Sequence, residues 1–131
     1  MNVYEDPKYQ VNKQLTKLFK ENKINSNVNP KEGYLLYKLI KDNNFKRTLE
    51  VGFAFGISAI YILQALKENG GDTKHIAIDP FQEKQWKNNG IKNVNEAKLD
   101  KDFILMQLKS YRALPILLEK NKKFDFIFID A

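Results

Sequence analysis

The run Leu49-Glu50-Val51-Gly52-Phe53-Ala54-Phe55-Gly56-Ile57-Ser58 joins an apolar strand that ends in an acid to a two-glycine turn and a helix start. Gly52 and Gly56 let the backbone approach a ligand where a Cβ would collide or strain the turn. The amides of the helix start then face the crevice beyond the strand end, where open α/β sheets take their ligands. A dinucleotide fingerprint needs glycine at positions 52, 54 and 57, and this chain carries Ala54 and Ile57 instead. Two more carboxylates close apolar stretches, Asp79 after His75–Ile78 and Asp130 after Phe124–Ile129. A carboxylate at a strand end beside such a turn can accept hydrogens from both hydroxyls of a ribose, or simply face water. Ser58, in the first helical turn, can donate to an anionic group that the nearby amides and the helix dipole also favour, or satisfy free amides itself.

The elements that must position these residues follow from periodicity. Val11, Leu15, Leu18 and Phe19 form the stripe of an amphipathic helix over about residues 7–22. Residues 25–29 are a polar break; Asn29 suits an N-cap and Pro30 the first helical position of a second helix that Asn43-Asn44 close. Residues 46–51 read as the first strand. Ala59, Ile62, Leu63 and Leu66 line the following helix, ended by Gly70-Gly71. A second strand is expected over 75–79, one or two short helices interrupted at Gly90 over 82–99, and a third strand over 103–109. Ser110 caps a helix over 111–120 with Pro115 near its first turn, and a fourth strand covers 124–130. Alternation of strands and helices implies parallel βαβ units. Phe124, Phe126, Ile127, Phe128 and Ile129 lack alternation, the pattern of a strand covered on both faces. Further strands are therefore expected beyond Ala131, with a second copy of the chain, as in a homodimer, the other source of that layer.

Four segments in this order make the stretch from Asn27 to Ala131 similar to the amino-terminal half of class I S-adenosylmethionine-dependent methyltransferases, of the catechol and caffeoyl-CoA O-methyltransferase type. They are Asn29-Pro30-Lys31-Glu32-Gly33-Tyr34-Leu35-Leu36, the Glu-x-Gly-x-x-x-Gly turn, Ala77-Ile78-Asp79-Pro80-Phe81, and Phe124-Asp125-Phe126-Ile127-Phe128-Ile129-Asp130. Residues 1–26, including the first helix, match no segment of that family and stand apart from 27–131. The resemblance implies an α/β, Rossmann-like three-layer sandwich with sheet order 3-2-1-4, incomplete because strands 5–7 are missing. It implies S-adenosyl-L-methionine as cofactor and methyl transfer to an oxygen of a small-molecule acceptor. The glycine turn, with Phe53 and Ala54 between Gly52 and Gly56, would cradle that cofactor, and Glu50 would organise the turn and the ligand's amino end. Asp79 would hold the ribose, Ser58 the methionine carboxylate and Asp130 the ammonium group. Phe81 would flank the adenine or anchor its loop, and Ser110 and Tyr111 would touch the adenine edge, where the family's usual acidic residue is lacking. In cation-dependent relatives the residue matching Asp130 also binds Mg²⁺, so Mg²⁺ is an optional second cofactor.

Bulk properties narrow the alternatives. The chain has 131 residues, 43% hydrophobic and 29% charged, enough for one domain with one core. No apolar run approaches ~18 residues, so no membrane span is expected. The N-terminus lacks a secretory pattern and cysteine is absent, which fits the cytoplasm and excludes disulfides and zinc-thiolate sites. The net charge of +6 comes from scattered lysines with only Arg47 and Arg112 beside them, a solvated surface rather than a nucleic-acid face. Asp130-Ala131 does not begin the motif of amino-methylating DNA enzymes. His75, the single histidine, reads as a half-solvated residue at a strand start, and Trp86 as packing. Two rival functions are a cofactor-binding module without its own catalysis and another nucleotide-binding protein of the same architecture.

Overall fold

A computed structural model describes residues 2–21 and 28–130. Four strands, β1 (Arg47–Val51), β2 (Lys74–Ile78), β3 (Phe103–Met106) and β4 (Phe126–Ile129), form one parallel sheet in the order β3-β2-β1-β4. The helices are α1 (Lys13–Glu21), α2 (Pro30–Asp42), α3 (Ile57–Asn69), α4 (Asn89–Glu96) and α5 (Ser110–Glu119). This is the expected topology. Thr48, Glu50, His75 and Ala77 point to the α3 side, while Leu49, Val51, Ile76 and Ile78 pack with Ala113 and Leu117 of α5 on the other.

α3 is apolar nearly all round because it is buried nearly all round. Residues 57–63 are all buried under α1, α2 and the sheet. Its Tyr61 is fully buried, donates its hydroxyl to the Tyr9 carbonyl at 2.6 Å, and has its phenol pushed well above the ordinary range by desolvation. Gly33 of α2 lies flat against that ring, where a Cβ would come within 2.2 Å. The Asn29 side chain accepts from the Glu32 amide at 3.0 Å, so the N-cap stands where the sequence placed it.

Several boundaries differ from expectation. The first helix begins at Lys13 rather than near residue 7, because Pro7–Tyr9 make a separate 3-10 turn and the Asn12 side chain accepts from the Gln14 amide. The rest of the expected break at 25–29, before Val28, lies outside the described residues. Gly90 interrupts nothing: it is the second residue of α4, where a Cβ would meet the Ala54 carbonyl oxygen at 2.3 Å. Ser110 is the first residue of α5 and not its cap, with extended Lys109 preceding it, and Pro115 falls inside the helix. β3 stops at Met106.

β4 is covered on one face only among the described residues. Phe126 and Phe128 pack on the α2–α3 side, whereas Ile127 is 53% exposed and Ile129 69% exposed. α5 sits over the centre of the sheet and does not reach the outer face of β4. No helix among the described residues is long and apolar enough to cross a membrane.

Candidate functional site

The carboxyl ends of the strands open into a cleft of about 540 Å³. Strand order sets its layout: Ser110 and Tyr111 beyond β3, Asp79 and Phe81 beyond β2, Gly52, Phe53 and Ala54 beyond β1, and Asp130 beyond β4. Ser58 lines it from the first turn of α3. Gln85, Trp86 and Lys109 complete the walls; Trp86 also packs edge-on against Phe55 with ring centroids 5.0 Å apart. Two expected site residues do not line the cleft. Glu50 is fully buried beneath it, and Gly56 is buried against Gly90, whose carbonyl oxygen a Cβ would meet at 3.0 Å.

The turn is tight for a physical reason. Gly52 has φ +99°, and a Cβ there would stand 2.1 Å from the backbone oxygen of Asp130. β1 and β4 therefore meet at the cleft floor as closely as backbone allows, tied by the Asp130 amide donating to the Val51 carbonyl at 2.9 Å. Gly56 has φ +83° and opens α3 without a side-chain cap. Between them Ala54 is also left-handed, at φ +49°, a conformation that a non-glycine residue holds only when its surroundings impose it.

Three side chains impose it. Asp79 Oδ2 accepts from the Ala54 amide at 2.9 Å, and its Oδ1 accepts from the Phe81 amide at 2.8 Å. Gln82 donates to the Ala54 carbonyl at 2.9 Å while its Oε1 accepts from the amides of Gly90 (2.8 Å) and Ile91 (3.2 Å). Asn93 donates to the Phe55 carbonyl at 2.9 Å. Asp79 is 4% exposed, so its carboxylate is anchored to two backbone donors while retaining lone pairs toward the cleft. Gln82 and Asn93 carry no signal in the sequence, since both lie in the stretch between β2 and β3 and reach the turn only through the tertiary fold.

A second cluster lies below the floor. Glu50 Oε2 accepts from the Ser58 hydroxyl at 2.5 Å, and Glu50 Oε1 lies 2.9 Å from His75 Nε2. His75 Nδ1 is 2.8 Å from Thr48 Oγ1. His75 is fully buried, against the expectation of a half-solvated strand start: β2 pairs parallel with β1, placing it beside Thr48 and under Phe103. Every buried side-chain nitrogen and oxygen among the described residues has a hydrogen-bond partner. No cluster of three or more histidine, cysteine, aspartate or glutamate side chains suited to a metal ion occurs among them.

Known proteins are similar to this chain in sequence and in fold. The catechol O-methyltransferase of Niastella koreensis is 32% identical over 111 residues, which span 79% of this chain and 45% of that protein. The caffeoyl-CoA O-methyltransferase of Populus kitakamiensis is 34% identical over 102 residues, 76% of this chain and 41% of that one. The chain thus spans less than half the length of these curated relatives. An O-methyltransferase from Bacillus cereus, solved in complex with SAH, superposes with a TM-score of 0.72 at 22% identity over 96% of this chain and 55% of that one, a likeness of fold. A methyltransferase domain family matches residues 49–131, from the first strand and its glycine turn through Asp79 to the last strand, and the chain belongs to that family.

Proposed function

We propose that this chain binds S-adenosyl-L-methionine across the strand ends and serves methyl transfer to an oxygen of a small molecule. One observation carries the reading: Asp79, locked between two backbone amides, faces a cleft beside a glycine turn. The donor set suits the whole compound. Ser110, Tyr111 and Phe81 would meet the base, Asp79 the sugar, and the glycine turn, Ser58 and Asp130 the amino-acid end. Glu50 acts from below through Ser58 and not by contact. The curated relatives are O-methyltransferases, and the Bacillus cereus protein was solved with SAH, which is the demethylated product of such a reaction.

When bound, the cofactor supplies a sulfonium methyl, an electrophile that needs no further activation. The chain's own residues contribute position. A turn clamped by Asp79, Gln82 and Asn93 holds the ligand without reorganising, so its orientation toward an acceptor is set in advance. We place the methyltransferase portion in residues 27–131, with 1–26 as an N-terminal segment of separate role whose helix α1 packs on α3 and α4. Mg²⁺ would join Asp130 only with oxygen ligands from outside the described residues.

Thermal unfolding in the presence of S-adenosylhomocysteine tests the reading. At about 100 times its dissociation constant the ligand adds roughly 2.7 kcal/mol of stability, and a folded sample whose midpoint does not move rejects the proposal. Adenine nucleotides should give no comparable shift.

A further inference from the structure

Helix α1 lies outside the stretch that matches the methyltransferase family, yet it reaches the supports of the glycine turn. Gln14, 6% exposed, donates through Nε2 to Glu96 Oε2 at 2.8 Å and to Asn93 Oδ1 at 3.3 Å. Asn93, 8% exposed, passes the line on, its Nδ2 donating to the Phe55 carbonyl at 2.9 Å. The peptide between Phe55 and Gly56 is therefore held on both sides, because the Gly56 amide donates to the Phe53 carbonyl at 2.8 Å. This peptide leads from left-handed Ala54 into left-handed Gly56 and the start of α3, and the Phe55 ring packs on Trp86 of the cleft wall. Asn12 keeps α1 in place for the contact, donating to Gln64 Oε1 at 2.9 Å and to the Ala97 carbonyl at 3.3 Å.

The line runs in one direction only. A carboxylate and a backbone carbonyl both accept, and they stand at its two ends. Glu96 therefore selects the nitrogen of the Gln14 amide, which in turn selects the oxygen of Asn93. The Asn93 nitrogen is then left for Phe55. A flipped Asn93 would set two donors together at one end and two acceptors at the other, in a buried place where neither finds water. We infer that Gln14 is a positioning residue for ligand binding: through Asn93 it locks the peptide that joins the glycine turn to α3. This rests on the S-adenosyl reading and gives α1 a role at the cleft, since it supplies the donor that orients Asn93. Gln14 itself stands outside the cleft.

The test titrates S-adenosylhomocysteine by calorimetry into folded protein, well below the unfolding midpoint, so that a loss of stability alone leaves affinity unchanged. Gln14→Met keeps the length of the side chain without a hydrogen to donate and should weaken binding about fivefold. Gln14→Lys, whose ammonium donates to both partners, should stay within about twofold of wild type. Glu96→Lys puts a donor at the partly exposed end of the line and reverses its direction. It should weaken binding by a similar factor, so the comparison stands even if Gln14→Met does not fold. In an Asn93→Ala background neither substitution should weaken binding further. Asn29→Ala, a cap remote from the line, controls for stability by lowering the midpoint at constant affinity. Without ligand, amide exchange at Gly56 should quicken in Gln14→Met and Glu96→Lys. Unchanged affinity in both variants, or an undiminished loss beside Asn93→Ala, overturns the inference. Wild type that binds no S-adenosylhomocysteine removes the S-adenosyl reading instead, while exchange at Gly56 still decides whether Gln14 holds the turn.

Discussion

Asp79 anchors the glycine turn with one carboxylate, and the proposed function gives the same group a ribose to hold. Each oxygen takes one backbone amide, from Ala54 and from Phe81. In Asp79→Asn one of those amides faces an NH₂ group instead of an acceptor. That should cost about 2 kcal/mol of stability, read as a shift in urea midpoint at unchanged slope. If Asp79 holds the ribose as proposed, the variant should also weaken the S-adenosylhomocysteine-induced thermal shift, because an NH₂ group replaces one of its two acceptor oxygens. Gly52 makes a purely steric prediction. Its φ of +99° and the 2.1 Å approach of the Asp130 oxygen leave no room for a methyl group, so Gly52→Ala should destabilise by roughly 2 kcal/mol or more and separate the β1 and β4 ends.

At the level of elements, the glycine turn is held by the segment that follows β2 rather than by its own residues. Gln82 bridges the turn to the start of α4, taking the Ala54 carbonyl with one atom and two α4 amides with another. Gln82→Leu keeps the volume and strands all three backbone groups. It should cost about 3 kcal/mol, and amide hydrogen exchange should quicken first at Gly90 and Ile91. α2 offers a milder comparison, since its cap is exposed and involves one bond. Asn29→Ala should cost about 1 kcal/mol without altering ligand affinity. Similar amide-to-apolar changes thus separate a support of the cleft from a support of the fold.

The whole molecule shows the same logic at the opposite end of the sheet. Asp125, just before β4, accepts from the Lys46 amide at 2.8 Å and the Arg47 amide at 3.1 Å, tying the start of β4 to the start of β1. These two backbone bonds hold its carboxyl below the usual aspartate range, outweighing a small desolvation effect. A carboxyl lowered in the folded state adds stability above its unfolded value, near about 4, and loses it as pH falls through the folded value. Asp125→Asn keeps an acceptor oxygen but cannot titrate. The stability gap between wild type and this variant should therefore be widest near neutral pH and shrink below about pH 4, as urea titrations at several pH values would show. β4 also presents Ile127 and Ile129 outward, so the sheet's coverage is uneven among the described residues: α1, α2, α3 and α4 cluster on one side, and α5 alone serves the other.

What the sequence determined by itself is local and periodic. Asn29-Pro30 must start a helix, Gly52 and Gly56 must bracket a turn, and alternating strand and helix patterns must give parallel pairing with acids at the strand ends. These follow from backbone sterics and from the spacing of apolar side chains, which each segment carries within itself. Helix ends were less legible, as Ser110 and Gly90 show, because a residue able to cap or break a helix also fits its first turn when packing requires it. Only the tertiary structure decided the supports of the cleft. His75 became buried because β2 lies beside β1 in one particular register, and Gln82 reached Ala54 because α4 packs against the turn. Hydrogen bonds join residues distant in the chain once their desolvated groups have no other partner, and that requirement arises from burial, which no single segment contains.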